Sequence, residues 1–298
     1  MKKVRIITHS GNFHPDELFA VATLLLHLDL SNDKYEIIRS RDPEIINTGD
    51  YVVDIGGVLD PESNKFDHHQ KGGGGARPNG VPYASFGLVW KKYGAELCSS
   101  QEAADRVDEK LIQAIDAEDN GVQIVESINK NVKPYQFETA ISSFIPTWKE
   151  KDKSIDMAFL KVLVLVEEVL AREITRAKHF LEGKSHVLEA YKEAPDKRMI
   201  VIKDAYAWKD ILNTFPEPLY VVANDGRRPE WAVAGIREEG VSFKTRKLFP
   251  ESWGGKRDAE LEKVTGVKGA IFCHNGRHLV IAKDFEAATK LAQIAIGD

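Results

Sequence analysis

The sequence predicts an α/β protein, a parallel-sheet domain followed by a second, smaller α/β domain that a long helix joins to it. Three observations carry this. Over the first 150 residues short β-branched runs alternate with apolar stretches at helical spacing, as in strands and crossover helices of a parallel sheet. From Asp152 to about Tyr191 apolar residues recur at Ile155, Phe159, Val162, Val166, Leu170, Ile174, Ala177 and Leu181 with charges between them, one long amphipathic helix that Gly183 could break. Beyond Pro195 strand-like runs return between turns. The expected division is a first domain over 1–150, a connecting helix over 151–194 and a smaller domain over 195–298.

In order, Val4–Thr8 reads as a strand, and Ala20, Val21, Leu24, Leu25 and Leu28 place a helix after it. Tyr35–Ser40 is a second strand, and Asp50–Asp54 a third that ends in the Gly56-Gly57 turn. Lys65-Phe66 leads into Asp67-His68-His69, and the glycines from Gly72 to Gly75 follow, a flexible loop or a flap that closes on substrate. Helices are expected over Ala84–Tyr93, Gln101–Ile115 and Tyr135–Trp148. In the second domain the strands are Arg198–Lys203, Leu219–Asn224, Trp231–Ile236 and Gly269–Cys273, and Phe285–Ile296 is the closing helix.

Composition narrows the function. The 298 residues are 43% hydrophobic and 29% charged, ordinary for a folded chain. A formal net charge of −5 argues against a generally basic nucleic-acid-coating protein and leaves a local basic groove open. Cys98 and Cys273 have neither disulfide-framework nor metal-type spacing. No apolar run has the length of a membrane span, and Arg5 and His9 interrupt the one behind Lys2-Lys3, so a cytoplasmic protein is expected.

Histidines and acids repeatedly follow strand-like runs. His9, His14, Asp16, Asp54, His68, and Asp116 or Asp119 give six candidate ligands, too many for one catalytic zinc and enough for two divalent ions. Nitrogen and oxygen donors without thiolates suit manganese, with magnesium or zinc as alternatives. Asp54 is the natural bridge between two ions, which is the arrangement for metal-assisted hydrolysis of a phosphoester. His69 is free to reach phosphoryl oxygens or a leaving group, and Asp67 to orient a ligand histidine.

These residues resemble a known group. Asp67-His68-His69, with Asp54 upstream and an acidic turn at the front, is similar to the DHH phosphoesterase superfamily. The resemblance is closer to the melanocyte proliferating gene family, the Myg exonucleases. It rests on Thr8-His9-Ser10-Gly11, Phe13-His14-Pro15-Asp16-Glu17, Val52-Val53-Asp54-Ile55-Gly56-Gly57, Phe66-Asp67-His68-His69-Gln70 and Ile115-Asp116-Ala117-Glu118-Asp119-Asn120-Gly121, with further echoes at Gly87–Trp90 and Phe249–Asp258. It implies a DHH-type fold, metal ligands at the front histidine and acids, Asp54, His68 and the later acid, and a phosphate contact at His69. It also implies 3′-to-5′ exonuclease action on single-stranded RNA or short oligonucleotides, in a cleft between the domains. In that superfamily a glycine-rich segment of the second domain binds substrate, and Gly254-Gly255-Lys256-Arg257 is the candidate here, within the locally basic stretch 237–257. Trp253 beside it is a candidate for stacking on a base. The tetraglycine after His69 and the ending His274-Asn275-Gly276-Arg277-His278 depart from the family pattern.

Three other readings stay open. A pyrophosphatase or small-nucleotide phosphohydrolase would use the same site. A zinc-dependent N-deacetylase is suggested by His14-Pro15-Asp16-Glu17, and a metal-binding module without turnover is the third. Oligomeric state is not legible.

Overall fold

The computed structural model describes residues 3–238 and 244–298. The chain divides into two units, Met1–Lys178 and His179–Asp298, each with one five-stranded sheet.

In the first unit β1 (Val4–Thr8) leads into α1 (Pro15–Ser31), whose entry is a capping box: Glu17 accepts the His14 N–H at 2.9 Å, and Pro15 starts the helix where no N–H is needed. From Pro15 to Leu25 every α1 residue is buried, so this helix lies inside the unit. Then come β2 (Tyr35–Arg39), the short α2 (Pro43–Ile46), β3 (Tyr51–Val53), β4 (Leu59–Asp60) and β5 (Lys65–Phe66). The strand order is β2-β1-β3-β5-β4, with only the β4 edge antiparallel. Next are α3 (Ser85–Cys98), which packs against α1 through the stacked rings of Phe19 and Phe86 at 5.0 Å, then α4 (Gln101–Val107) and α5 (Gln113–Asp119).

The expected single helix from Gln101 is interrupted by one π-helical turn, Asp108–Ile112. A regular helix sets residues eight apart about 80° out of line, and one extra residue in the turn removes most of that angle. Asp108 and Asp116 therefore both reach Arg77, whose Nη2 lies 2.5 Å from Asp108 Oδ1 and 2.8 Å from Asp116 Oδ2. Arg77 also donates to Pro82 O and stacks on Tyr83, so the loop after the tetraglycine is pinned to the helix rather than hung as a free flap.

The expected helix over Tyr135–Trp148 shrinks to α6 (Phe137–Ser142). Pro134 limits its start, Ser143 Oγ turns back to Ala140 O at 2.7 Å, and Pro146 disfavours helix at Ile145. α7 (Ile155–Glu193) runs unbroken for 39 residues. Gly183 does not end it; the missing side chain there makes room for the Tyr206 ring, which a Cβ would meet at 3.1 Å.

The second unit holds β6 (Met199–Ile202), α8 (Lys209–Leu212), β7 (Tyr220–Ala223), β8 (Trp231–Gly235), α9 (Asp258–Thr265), β9 (Ala270–Cys273), β10 (Leu279–Ala282) and α10 (Phe285–Gly297). In this unit the sequence pattern predicts neither α8, α9 nor β10. The sheet order is β6-β7-β8-β10-β9, parallel only between β6 and β7, and α9 and α10 close one face over Tyr220, Val233, Leu261 and Leu291. No helix among the described residues is long and apolar enough to cross a membrane.

Candidate metal centre

Four adjacent parallel strands end on the same edge of the first sheet, and the residues after them form the site: Arg41 beyond β2, His9 after β1, Asp54 after β3, and Asp67-His68-His69 after β5. The chain leaves β1 and β3 in opposite directions, so the crevice between them is the switch point where open α/β sheets take ligands. His9 and Asp54 face each other across it, Nε2 to Oδ2 at 3.4 Å.

Asp54 is the hub. Its backbone is left-handed, φ 56°, a conformation an Asp tolerates at a cost of about 1–3 kcal/mol. Its other oxygen, Oδ1, accepts the Ser85 hydroxyl at 3.2 Å and lies 3.3 Å from His68 Nε2. His68 Nε2 is in turn 3.0 Å from Asp119 Oδ2, and His9 Nε2 is 3.1 Å from Glu17 Oε1. Ligand-type atoms gather within 4.8 Å of one another in three groups: His9, His14 and Glu17; Asp54, His68 and His69; and Asp16, His68 and Asp119.

The N-terminus of α3 holds these acids in place. Its cap residue, Ala84, has no side chain to offer, and carboxylates from elsewhere in the chain replace it. Asp16 accepts from Ser85 N at 3.0 Å and Phe86 N at 2.7 Å, and Asp116 accepts from Gly87 N at 3.0 Å. Position 87 must be glycine for this approach, because any side chain there would collide with the Asp116 carboxylate.

The electrostatics follow from the crowding. Burial works against a charge on His9, yet Asp54 and Glu17 outweigh it and lift its pKa to about 10. For His68, burial is likewise outweighed, by Asp119 and Asp54, and the pKa rises to about 11. Burial alone would raise Asp54, but His68 and His9 hold it well below the usual carboxylate range. Burial, then Asp54, Asp119 and Asp116, push Asp16 far up, and burial raises Glu17 against the pull of His9. Two protonated imidazoles face four acids, Asp16, Glu17, Asp54 and Asp119, and His68 Nε2 is buried without a well-aligned hydrogen bond. Both features fit divalent cations, and the absence of thiolates fits a hard or borderline ion.

Of the residues singled out in sequence, His9, His14, Asp16, Asp54, His68, His69 and Asp119 come together in these groups. Asp116 lies outside them, engaged by Arg77 and Gly87, with burial raising its pKa to about 7 against the pull of Arg77. Asp67 accepts from Gly57 N and lies 2.8 Å from Nδ1 of His69, so it orients His69 rather than His68. Two participants were overlooked. Glu17 was read only as part of the front stretch, although its place three residues after His14 marks the capping box that aims it. Arg41 donates to Ser10 O at 3.1 Å and, with Nη2 3.2 Å from His9 Nδ1, lines the cavity over the site. A lone arginine after a strand carries no motif. The cavity is about 640 Å³, and His14, Asp119, Glu118 and Glu138 also line it.

In the second unit Gly254–Arg257 pairs with β9: Gly255 N donates to Cys273 O, Cys273 N donates to Lys256 O, and the Arg257 guanidinium covers the Phe272 ring. Trp253 is 2% exposed and stacks on Phe249, so it is core and is not available to a base. Residues 239–243 of the basic stretch lie outside the described residues.

Two buried imidazoles and a group of carboxylates at the switch point of a parallel sheet form a divalent-metal site of the kind a metal-dependent phosphoesterase uses, and the family to which the chain belongs makes it one. The chain belongs to the MYG1 exonuclease family, whose model, described as an uncharacterised protein family (UPF0160), matches residues 5–296. It is similar to the MYG1 protein C694.04c of Schizosaccharomyces pombe, 29% identical over 98% of this chain and 97% of the relative. It is 28% identical to the human MYG1 exonuclease, over 99% and 86% of the two chains, and 32% identical to the MYG1 protein of Dictyostelium discoideum, over 98% and 96%. Against the crystal structure of exonuclease RecJ bound to manganese the identity is 13% and the TM-score 0.29, over 98% and 90% of the chains.

Proposed function

We propose that the protein is a two-metal phosphodiester hydrolase, a 3′-to-5′ exonuclease acting on single-stranded RNA or short oligonucleotides, with manganese as its ion and the cytoplasm as its compartment. The observation that carries the reading is Asp54, whose Oδ2 faces His9 while Oδ1 faces His68, as a carboxylate shared between two ions would. The exonuclease name of the human relative supports a nucleic-acid strand as the class of substrate.

His9, Glu17 and Asp54 would hold one ion, and His68, Asp16, Asp119 and Asp54 the other. When bound, such ions acidify water and neutralise charge developing on a phosphoryl group. The chain's own residues do the rest. Asp67 accepts Nδ1–H of His69, which leaves Nε2 as the nitrogen that takes up a proton and, once protonated, donates it to a phosphoryl or leaving oxygen. Among the described residues Arg41 is the only lysine or arginine lining the cavity, and its guanidinium is the natural contact for a non-bridging oxygen. Lys256 and Arg257 are proposed as a further phosphate contact in the second unit. A single-zinc deacetylase would leave Asp54, His68 and Asp119 without a role.

The test is end-labelled single-stranded RNA and DNA incubated with protein plus manganese or chelator, with Asp54→Asn as control. Expected is metal-dependent shortening from the 3′ end, preferring RNA and absent in the variant. Cleavage of pyrophosphate or dinucleotides without shortening of longer strands would move the assignment to a small-nucleotide hydrolase on the same site.

A further inference from the structure

The cavity over the metal centre is poorly suited to hold a polyanion by itself. Besides the acids of the metal groups, Asp67, Glu118 and Glu138 line it, against a single arginine among the described residues. A strand longer than the cavity needs attraction from outside it, and α6 marks where that begins. Glu138, in the first turn of α6, lines the cavity, and Gln136 just before it donates to Glu118, another lining residue. The residue before Gln136 is Tyr135, 71% exposed, and beyond α6 come Phe144 at 49% and Trp148 at 79%.

Aromatic rings left in water are unexplained by packing, and these three are interleaved with lysines. Lys130, Lys133, Lys149, Lys151 and Lys153 are all exposed, and Lys149 Nζ lies 5.0 Å from the Trp148 ring. Of the three acids in the same stretch, Glu150 accepts the Thr147 N–H, Asp152 accepts the Ser154 N–H, and Glu138 belongs to the cavity wall. These bonds leave Glu150 and Asp152 ionised, and five lysines against three acids still give residues 130–153 a net charge of +2. Exposed rings that any base can stack on, lysines for the backbone and continuity with the catalytic cavity are the properties of a track for single-stranded nucleic acid.

We propose that residues 130–153 bind the single strand beyond the cavity, with Tyr135, Phe144 and Trp148 stacking on bases and the lysines pairing with phosphates. This deepens the phosphodiesterase reading and rests on it for the substrate class. It moves sequence-independent strand binding from Trp253, which is buried, to aromatics that are not.

The experiment measures fluorescence anisotropy of labelled 12-nucleotide oligo-U and oligo-dT on the full chain in chelator, so that no turnover is needed. Tyr135→Ala/Trp148→Ala should raise Kd by about 10- to 100-fold for either sugar. Lys133→Gln/Lys149→Gln should lower the slope of log affinity against log salt by about 1.4. With manganese added, the aromatic variant should lose its preference for a 12-mer over a dinucleotide. Affinities within twofold of wild type in both variants would overturn the proposal, as would wild-type protein that does not bind a strand in chelator. So would sedimentation in which Trp148→Ala converts a dimer to monomer without changing strand affinity, since the face would then belong to a second copy. Binding that follows the expected pattern in a protein that no metal activates would leave the track standing and remove the phosphodiesterase reading.

Discussion

The two sheets have five strands each and differ in where they can put chemistry. In the first, β2, β1, β3 and β5 run parallel, so the residues that follow them, Arg41, His9, Asp54 and His68, are neighbours on one edge. In the second, β7, β8, β10 and β9 alternate in direction, and the residues after adjacent strands, Asn224 and Ile236, fall at opposite edges. Parallel pairing concentrates ionisable side chains, and the concentration then has to be stabilised, which the N-terminus of α3 does for Asp16 and Asp116. The alternating sheet meets no such demand and closes over an apolar core.

Breaking the hub should have the largest effect. Asp54→Asn keeps a residue that tolerates the left-handed backbone but removes the charge that both histidines face. It should lose bound metal and reduce phosphodiester turnover by more than about 100-fold, the size reached by orienting partners alone. Metal analysis of the purified variant and rates at saturating manganese check this, and a metal-replete, active variant would end the two-ion assignment. His69→Ala comes next. It should keep its metal and lose about 10²- to 10³-fold in kcat, because only a contact to the reacting phosphoryl group is gone. A smaller contrast separates two acids on one helix: Asp119→Asn should lower metal content, whereas Asp116→Asn should retain it, since an amide oxygen can still accept from Gly87 N.

The parallel edge was legible because it is written locally. A strand, then a histidine or acid, then a helix or glycine turn is visible three times, at His9, Asp54 and Asp67-His68, whereas the fourth acidic ending, Asp116–Asp119, closes helix α5 and not a strand. The partners that reach the edge from a distance were not. Arg77 looks like any loop arginine until the π-helical turn brings Asp108 and Asp116 into line, and Glu17 looks like a capping residue until β3 brings Asp54 beside its histidine. In the second unit no ionic motif marks the strands. There the pattern predicts neither α8, α9 nor β10, and Trp253 looks like a stacking candidate although it is part of the core under the sheet's own helices.

The two regions should also separate in pH. In metal-free protein the folded pKa values of His9 and His68 are raised, so their stabilisation is fully present below the unfolded value near 6.5 and is lost progressively as pH rises towards about 10 and 11. Asp54 is depressed, so its contribution is present above about 3.8 and is lost as pH falls through the folded value. The first unit's melting transition in chelator should therefore fall between pH 7 and 10. Metal binding at pH 7 should release about two protons per chain, seen as a buffer-dependent enthalpy in calorimetry, and should steepen with pH. Proton-independent binding would mean that His9 and His68 are not the nitrogens displaced.

The smallest effect is expected in the second sheet, and it is the sharpest test of the contrast. The Gly254–Arg257 turn is held to β9 by backbone bonds, and Arg257 lies over Phe272, so removing its side chains should leave the sheet intact. Lys256→Ala/Arg257→Ala removes two charges from an exposed turn. If these meet phosphates of a strand, the salt slope for a 12-mer should fall by up to about 1.4, and its KM should rise by only a few-fold. If they do not, neither quantity moves and the second sheet has no part in recognition. A fall of tenfold or more in the kcat of a dinucleotide would be the informative failure. It would mean that an antiparallel sheet without converging strand ends contributes to the chemical step, and the parallel edge would no longer account for the activity alone.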